Sequence, residues 1–196
     1  TPDYILGDFD SITEKNVMVT HPDVDHCGLL NEFDEVIFSE RTAQCLSLES
    51  DNKAGFREKN RLHKPYVNIC KILTKYQPLQ TFRLRQTWEK AQLNAMLNMV
   101  GKFIVGELDF TVYEGKGGHL AGEIVLIDFK HRVAFSGDVF INLSDLTKKQ
   151  AEYNQYAPIL MTSVDTDAKL CAAERVAFLQ LLDSGVWNIF GGHGQK

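Results

Sequence analysis

Basic side chains are the minority charge in this chain of 196 residues: 21 Lys and Arg stand against 26 Asp and Glu, a formal net charge of −5. Non-specific nucleic-acid affinity rests on clustered Lys and Arg, so this balance argues against a general phosphate-backbone binder. Long apolar runs are missing as well. No stretch approaches the ~20 residues that span a bilayer, and the opening TPDYILGDFD lacks the basic-then-apolar character of a secretory leader. The expectation is a soluble cytoplasmic chain with no membrane partner and no nucleic acid as a general partner. Cysteine is sparse: Cys27, Cys45, Cys70 and Cys171 form no CxxC pair, which supports neither a disulfide framework nor a zinc finger. Repeats, low-complexity tracts and linkers are also lacking. With 44% hydrophobic content, residues 1–196 are read as one domain with a sizeable core.

What is present is a change of period along the chain. Val17 to Val19 and the run FDEVIF read as short buried strands. Residues 39–61 are polar and read as a surface helix-loop excursion. Leu62, Tyr66, Ile69, Leu73 and Tyr76 recur at helical spacing, with Pro78 closing the segment, so this helix is expected to pack one face inward. Trp88 to Val100 is a second helical candidate, ended by Gly101. The segment at about 39–100 is therefore expected to be a partly helical insertion, serving as a lid over a site. From Lys102 onward FIVG, LDFTVYE, EIVLIDF and RVAFS read as successive strands, with Lys130 and His131 at a hairpin tip. Thr147 and Gln150 suggest a capping box for a helix toward Pro158. A last helix is expected from about Asp167 to Leu182, burying Leu170, Ala173, Ala177 and Leu181, before a final strand VWNIF.

Chemistry concentrates in VMVTHPDVDHCGLL, where His21, Asp23, Asp25 and His26 fall within six residues directly after a strand. Imidazole and carboxylate together suit a borderline or hard divalent metal, and an HxDxDH loop can aim alternate ligands at two adjacent ions. Cys27 adjoins this cluster and is expected to pack as a small hydrophobe. Three later stretches share its character, a single ligand-type residue beside glycine: GGHLAG with His119, FSGD with Asp138 and GGHG with His193. Separately, PDYILGDFDSI resembles the GDFDS signature of thiamine pyrophosphokinases, but nothing downstream supports that match and it is read as coincidence.

Taken in order, HxDxDH, GGHxxG, FSGD and GGHG resemble the metallo-β-lactamase-fold hydrolase superfamily, from about Val17 to His193. The resemblance implies an α/β fold, a four-layer αββα sandwich with the site at one edge. It implies that His21, Asp23 and His119 hold one divalent metal, that Asp25, His26 and His193 hold another, and that Asp138 bridges them. Such a pair lowers the pKa of a shared water toward ~7. The implied activity is hydrolysis of an ester-like bond (thioester, lactone or phosphodiester) in a small-molecule substrate, with Asp25 helping to orient the nucleophile and move its proton. Arg57, Arg61, Lys64 and Tyr66 in the insertion are expected to be solvated rather than to contact substrate.

Two departures accompany the resemblance. The common loop is HxHxDH, and Asp23 stands where its second histidine would be. One more carboxylate makes the site more anionic and oxygen-rich, a shift from zinc toward iron or manganese. Flavodiiron proteins also place a carboxylate there, which makes oxygen or nitric oxide reduction the alternative chemistry, and a non-catalytic metal-binding role a second alternative. The other departure is at the ends. Relatives usually carry further strands before the loop, so the sandwich is expected to be trimmed or short at its edges, with an exposed sheet edge.

Overall fold

The computed structural model describes residues 15–80, 84–86, 88, 91–141, 147–149 and 165–193. Among these the chain forms two sheets. The first has three parallel strands in the order β1 (Asn16–Met18), β2 (Glu35–Phe38), β3 (Leu84–Gln86). The second has five, in the order β4 (Leu97–Val105), β5 (Leu108–Gly115), β6 (Ile124–Asp128), β7 (Val133–Gly137), β8 (Asn188–Gly191). Strands β4, β5, β6 and β7 pair antiparallel in succession, and β8 lies parallel to β7. Around them lie the one-turn helix α1 (Val24–Cys27), a 3-10 turn (Leu30–Glu32), and helices α2 (Glu40–Ser50), α3 (Lys64–Thr74) and α4 (Ala168–Leu181).

Strand alternation distributes the apolar residues over three clusters. Val36 and Phe38 of β2 pack with Leu46 of α2, whereas Ile37 between them joins Phe110, Val112, Ile124 and Leu126 from the second sheet. On β6, Val125 and Ile127 point the other way, to Phe178 of α4. All five residues of β6 are buried: the apolar run from Ile124 to Ile127 is covered on both faces, and Asp128 ends it. A fully buried side chain such as Ile127 or Phe178 contributes roughly 1.5–3 kcal/mol. No helix among the described residues is long and apolar enough to cross a membrane.

Several expectations change. Residues 97–100 begin β4 rather than ending a helix, because antiparallel pairing with β5 from Leu97↔Gly115 outweighs local helix propensity, and the expected strand FIVG forms its second half. On α3 the apolar stripe faces out: Leu73 is 77% and Ile69 56% exposed, and Val67 is the residue buried. On α4 the buried positions are Cys171, Glu174 and Phe178, one step round from the expected stripe, and its N-cap is Asp167 as expected. The segment at 39–100 supplies β3 and the start of β4 to the sheets as well as two helices. The GDFDS stretch and most of the helix expected from Thr147 lie outside the described residues.

Strand directions gather the site. Because β5, β7 and β8 run the same way, the loops after them leave one edge of the second sheet. The loop after β1 joins that edge, since the Ile124 amide donates to the Thr20 carbonyl at 2.9 Å.

Candidate metal centre

Asp23 opens α1 from an extended backbone conformation, and its carbonyl accepts from the amides of His26 and Cys27 at 3.0 Å. This single turn sets Asp25 and His26 beside His21. Asp23 is an N-cap whose side chain makes no capping bond. Its carboxylate goes instead to Arg57, which donates from Nε to Oδ1 at 2.6 Å and from Nη2 to Oδ2 at 2.5 Å. Cys27 is buried in the core, its Sγ 3.6 Å from the His21 carbonyl, and burial raises its thiol well above the usual range.

His119 sits on a loop clamped from both sides. Glu174 of α4 accepts from the amides of Gly117 at 2.9 Å and Gly118 at 3.0 Å. A Cβ on Gly118 would overlap the Cys171 backbone, so only glycine lets the loop pass α4 this closely. From the other side, Ser39 Oγ donates to the Gly122 carbonyl at 2.6 Å. Asp165 Oδ1 lies 2.9 Å from His119 Nδ1, which places the proton on Nδ1 and turns Nε2 toward the site.

Asp138 follows β7, and its amide donates to Glu123 Oε1 at 2.6 Å. His193 follows β8 across Gly192, where a Cβ would overlap Asp138 Oδ1.

All seven residues named from the sequence come together. Three triads hold one ligand atom each within 4.8 Å of one another: His21, Asp23 and His119; Asp25, His26 and His193; His21, His26 and Asp138. Asp138 Oδ2 lies 3.5 Å from Nε2 of both His119 and His193, and Oδ1 lies 3.6 Å from His26 Nε2, so its carboxylate faces both of the first two triads. Ligand atoms at ~2.1 Å from a tetrahedral ion lie roughly 3.4 Å apart. The separations here run from 3.2 Å for His193 Nε2 to Asp25 Oδ2, up to 3.9 Å for His21 Nε2 to Asp138 Oδ2. His21 Nε2 and Asp138 Oδ1 are buried with no hydrogen-bond partner among the described residues, a costly state that a bound cation would relieve. The residues therefore fit divalent metal. The two triads differ in depth: the side chains of His21 and His119 are no more than 2% exposed, those of Asp25 and His193 about half.

The electrostatics follow from burial and crowding. Burial would raise the Asp23 carboxyl, yet His119, His21 and Arg57 hold it well below the usual range. Burial opposes protonation of His119, but Asp165 and Asp23 raise it to about 10. His26 is pushed down to about 4 by burial and by His21. Burial pushes Glu123 up to about 7 against the pull of His21 and His119.

Sequence reasoning missed Arg57, Glu123, Asp165 and Glu174. None lies in a motif, and each meets the site only through the fold. Arg57, expected to be solvated, is 6% exposed; Arg61, Lys64 and Tyr66 are exposed as expected.

No protein-family model matches the sequence, and no curated protein does. Solved structures do. The B3 metallo-β-lactamase BLEG-1 is similar at 19% identity, over 98% of this chain and 76% of that one, with a TM-score of 0.51. TTHA1623 in a di-iron-bound form is similar at 17% identity, over 99% and 78%, with a TM-score of 0.50. An N-acyl homoserine lactone hydrolase, solved with N-hexanoyl-L-homoserine at its catalytic metal centre, is similar at 12% identity, over 96% and 60%, with a TM-score of 0.51. The chain has the metallo-β-lactamase fold.

Proposed function

We propose, from the metallo-β-lactamase fold as premise, that this chain is a metal-dependent hydrolase of an ester-like bond in a small-molecule substrate. One observation carries the reading: seven His and Asp side chains from four separate loops converge with ligand-atom spacings near those of a metal shell. In this reading the elements form a four-layer αββα sandwich with the site at its edge. His21, Asp23 and His119 hold an inner ion, Asp25, His26 and His193 an outer one, and Asp138 lies between. Two divalent ions supply Lewis acidity toward the scissile carbonyl or phosphoryl oxygen and a water deprotonated near neutral pH.

The remaining work falls to the chain. Asp165 and Glu123 hold the rings of His119 and His21 in orientation, with the His21 Nδ1 3.1 Å from Thr20 Oγ1 and 3.5 Å from Glu123 Oε1. Asp25, half exposed at the mouth with Oδ2 3.2 Å from His193 Nε2, is placed to take the proton released when water attacks and to return it to the leaving group. The segment at 39–100 brings α3 beside α1 and so borders the mouth, the position of a substrate-selecting lid. Arg57 offsets the charge of Asp23, so the argument from an extra anionic ligand toward iron or manganese loses its premise, and zinc serves this site as well.

The test is elemental analysis of protein produced under controlled metal supply, followed by hydrolysis assays on thioester, lactone and phosphodiester substrates. Two equivalents of metal, with activity lost to chelator and restored by metal, are expected. A chain that binds no metal, or hydrolyses equally well in chelator, sinks the proposal. Stoichiometric iron with oxygen consumption and no hydrolysis favours the redox alternative instead.

A further inference from the structure

Arg57 lies in the segment between α2 and α3, where its carbonyl accepts from the Asn60 amide at 2.9 Å and closes a turn. Its guanidinium reaches across to the loop after β1. Nη2 is 2.5 Å from Asp23 Oδ2 and 3.1 Å from His119 Nε2, and those two atoms are themselves 3.3 Å apart. They are two of the three ligand atoms of the inner triad. Nη2 occupies the space in front of His119 Nε2 where a metal ion would sit. A guanidinium is always charged and cannot give way by losing a proton. Among the described residues no Lys or Arg pairs with the outer triad: His193 Nε2 faces Asp25 Oδ2 at 3.2 Å and Asp138 Oδ2 at 3.5 Å.

We propose that Arg57 is a tethered cation that competes for the inner metal position and makes the two positions unequal. This rests on the dinuclear reading above and deepens it. The outer position, with Asp25, His26, His193 and Asp138, fills first. The inner ion enters only by pushing Nη2 off His119, and it then sits beside a fixed positive charge. The two-point ion pair from Nε and Nη2 keeps Asp23 in place before that happens, so Arg57 is a positioning residue for Asp23 as well as a rival of the ion. The opposing possibility is that Arg57 acts only by orienting Asp23, and then its removal weakens metal binding. The two ideas differ in sign.

The experiment titrates the chelator-stripped full chain with Zn²⁺ by calorimetry and with Co²⁺ by its visible absorption. Wild type, Arg57→Gln and Arg57→Lys are compared, with circular dichroism confirming the fold of each. Wild type is expected to bind in two unequal steps. In Arg57→Gln, which removes the charge and keeps a donor for Asp23, the weaker step tightens by about tenfold or more, or ~1.4 kcal/mol per tenfold, a modest part of the repulsion between a guanidinium and an adjacent divalent ion. Arg57→Lys keeps the charge and leaves the weaker step within a few-fold of wild type. A weaker step that is unchanged or further weakened in folded Arg57→Gln overturns the proposal. Two equal steps in wild type overturn it without recourse to any variant, and leave the dinuclear reading intact. A wild-type chain that takes up neither ion removes the metal reading and this inference together.

Discussion

Glu174 is the residue through which α4 holds the loop carrying His119, and its removal gives the sharpest prediction. Its carboxylate is 1% exposed and accepts from the amides of Gly117 and Gly118, two residues before His119 and nearer. Glu174→Ala leaves the buried Gly118 amide and the half-buried Gly117 amide without acceptors, at about 1–3 kcal/mol each. Part of that loss is offset, because burial pushes the Glu174 carboxyl up and its removal relieves the cost of burying charge. A net destabilisation of roughly 2–4 kcal/mol remains, which for a chain of this size is a fall in Tm of about 4–16 °C. Urea unfolding of the chelator-stripped protein, followed by circular dichroism, measures it. Glu174→Gln keeps one acceptor oxygen and is expected to lose about half as much. The loosened loop also carries His119, so zinc affinity falls in the same order, Ala below Gln below wild type. A Glu174→Ala variant within ~0.5 kcal/mol of wild type, the range of an ordinary surface substitution, would refute the reasoning.

Three further outcomes are expected. Asp138→Ala removes the carboxylate that faces both triads and loses at least one metal equivalent by elemental analysis; two ions retained would sink its bridging role. Gly192→Ala places a methyl against Asp138 Oδ1 and His26, and lowers zinc affinity in calorimetry while leaving the far-ultraviolet spectrum unchanged. In the metal-free chain, Asp165 and Asp23 raise His119 from 6.5 to about 10, so the stability it contributes is complete below 6.5 and is lost as pH rises through about 10. Asp165→Asn flattens that alkaline limb in thermal melts at varied pH. Because zinc must displace this proton, affinity climbs with pH over the same window, with proton release seen as buffer-dependent heat.

Elements that depend on short-range pattern were legible, and those decided by partners were not. β5, β6 and β7 alternate or run apolar over five to eight residues, and they form where the pattern places them. Residues 97–100 carry no such pattern and are strand because β5 lies beside them. The stripe on α3 is regular, yet it faces solvent. Periodicity states that a helix has an apolar face; it does not say what that face meets.

The candidate metal centre divides in the same way. The seven candidate ligands could be named from the linear sequence, since each requires only the right side chain at a strand end, beside glycine or a one-turn helix, and strand order then brings those ends to one edge. The residues that orient and charge them are decided by tertiary structure alone. Arg57 meets Asp23 across 34 positions, Asp165 meets His119 across 46, and Glu174 meets Gly118 across 56. A buried carboxylate or guanidinium takes whatever partner packing brings to it, and no local pattern records the choice. Asp23 reads in the sequence as an additional negative charge at the metal; in the folded chain Arg57 has already paired it, because two buried opposite charges at 2.5 Å satisfy each other before any ion arrives.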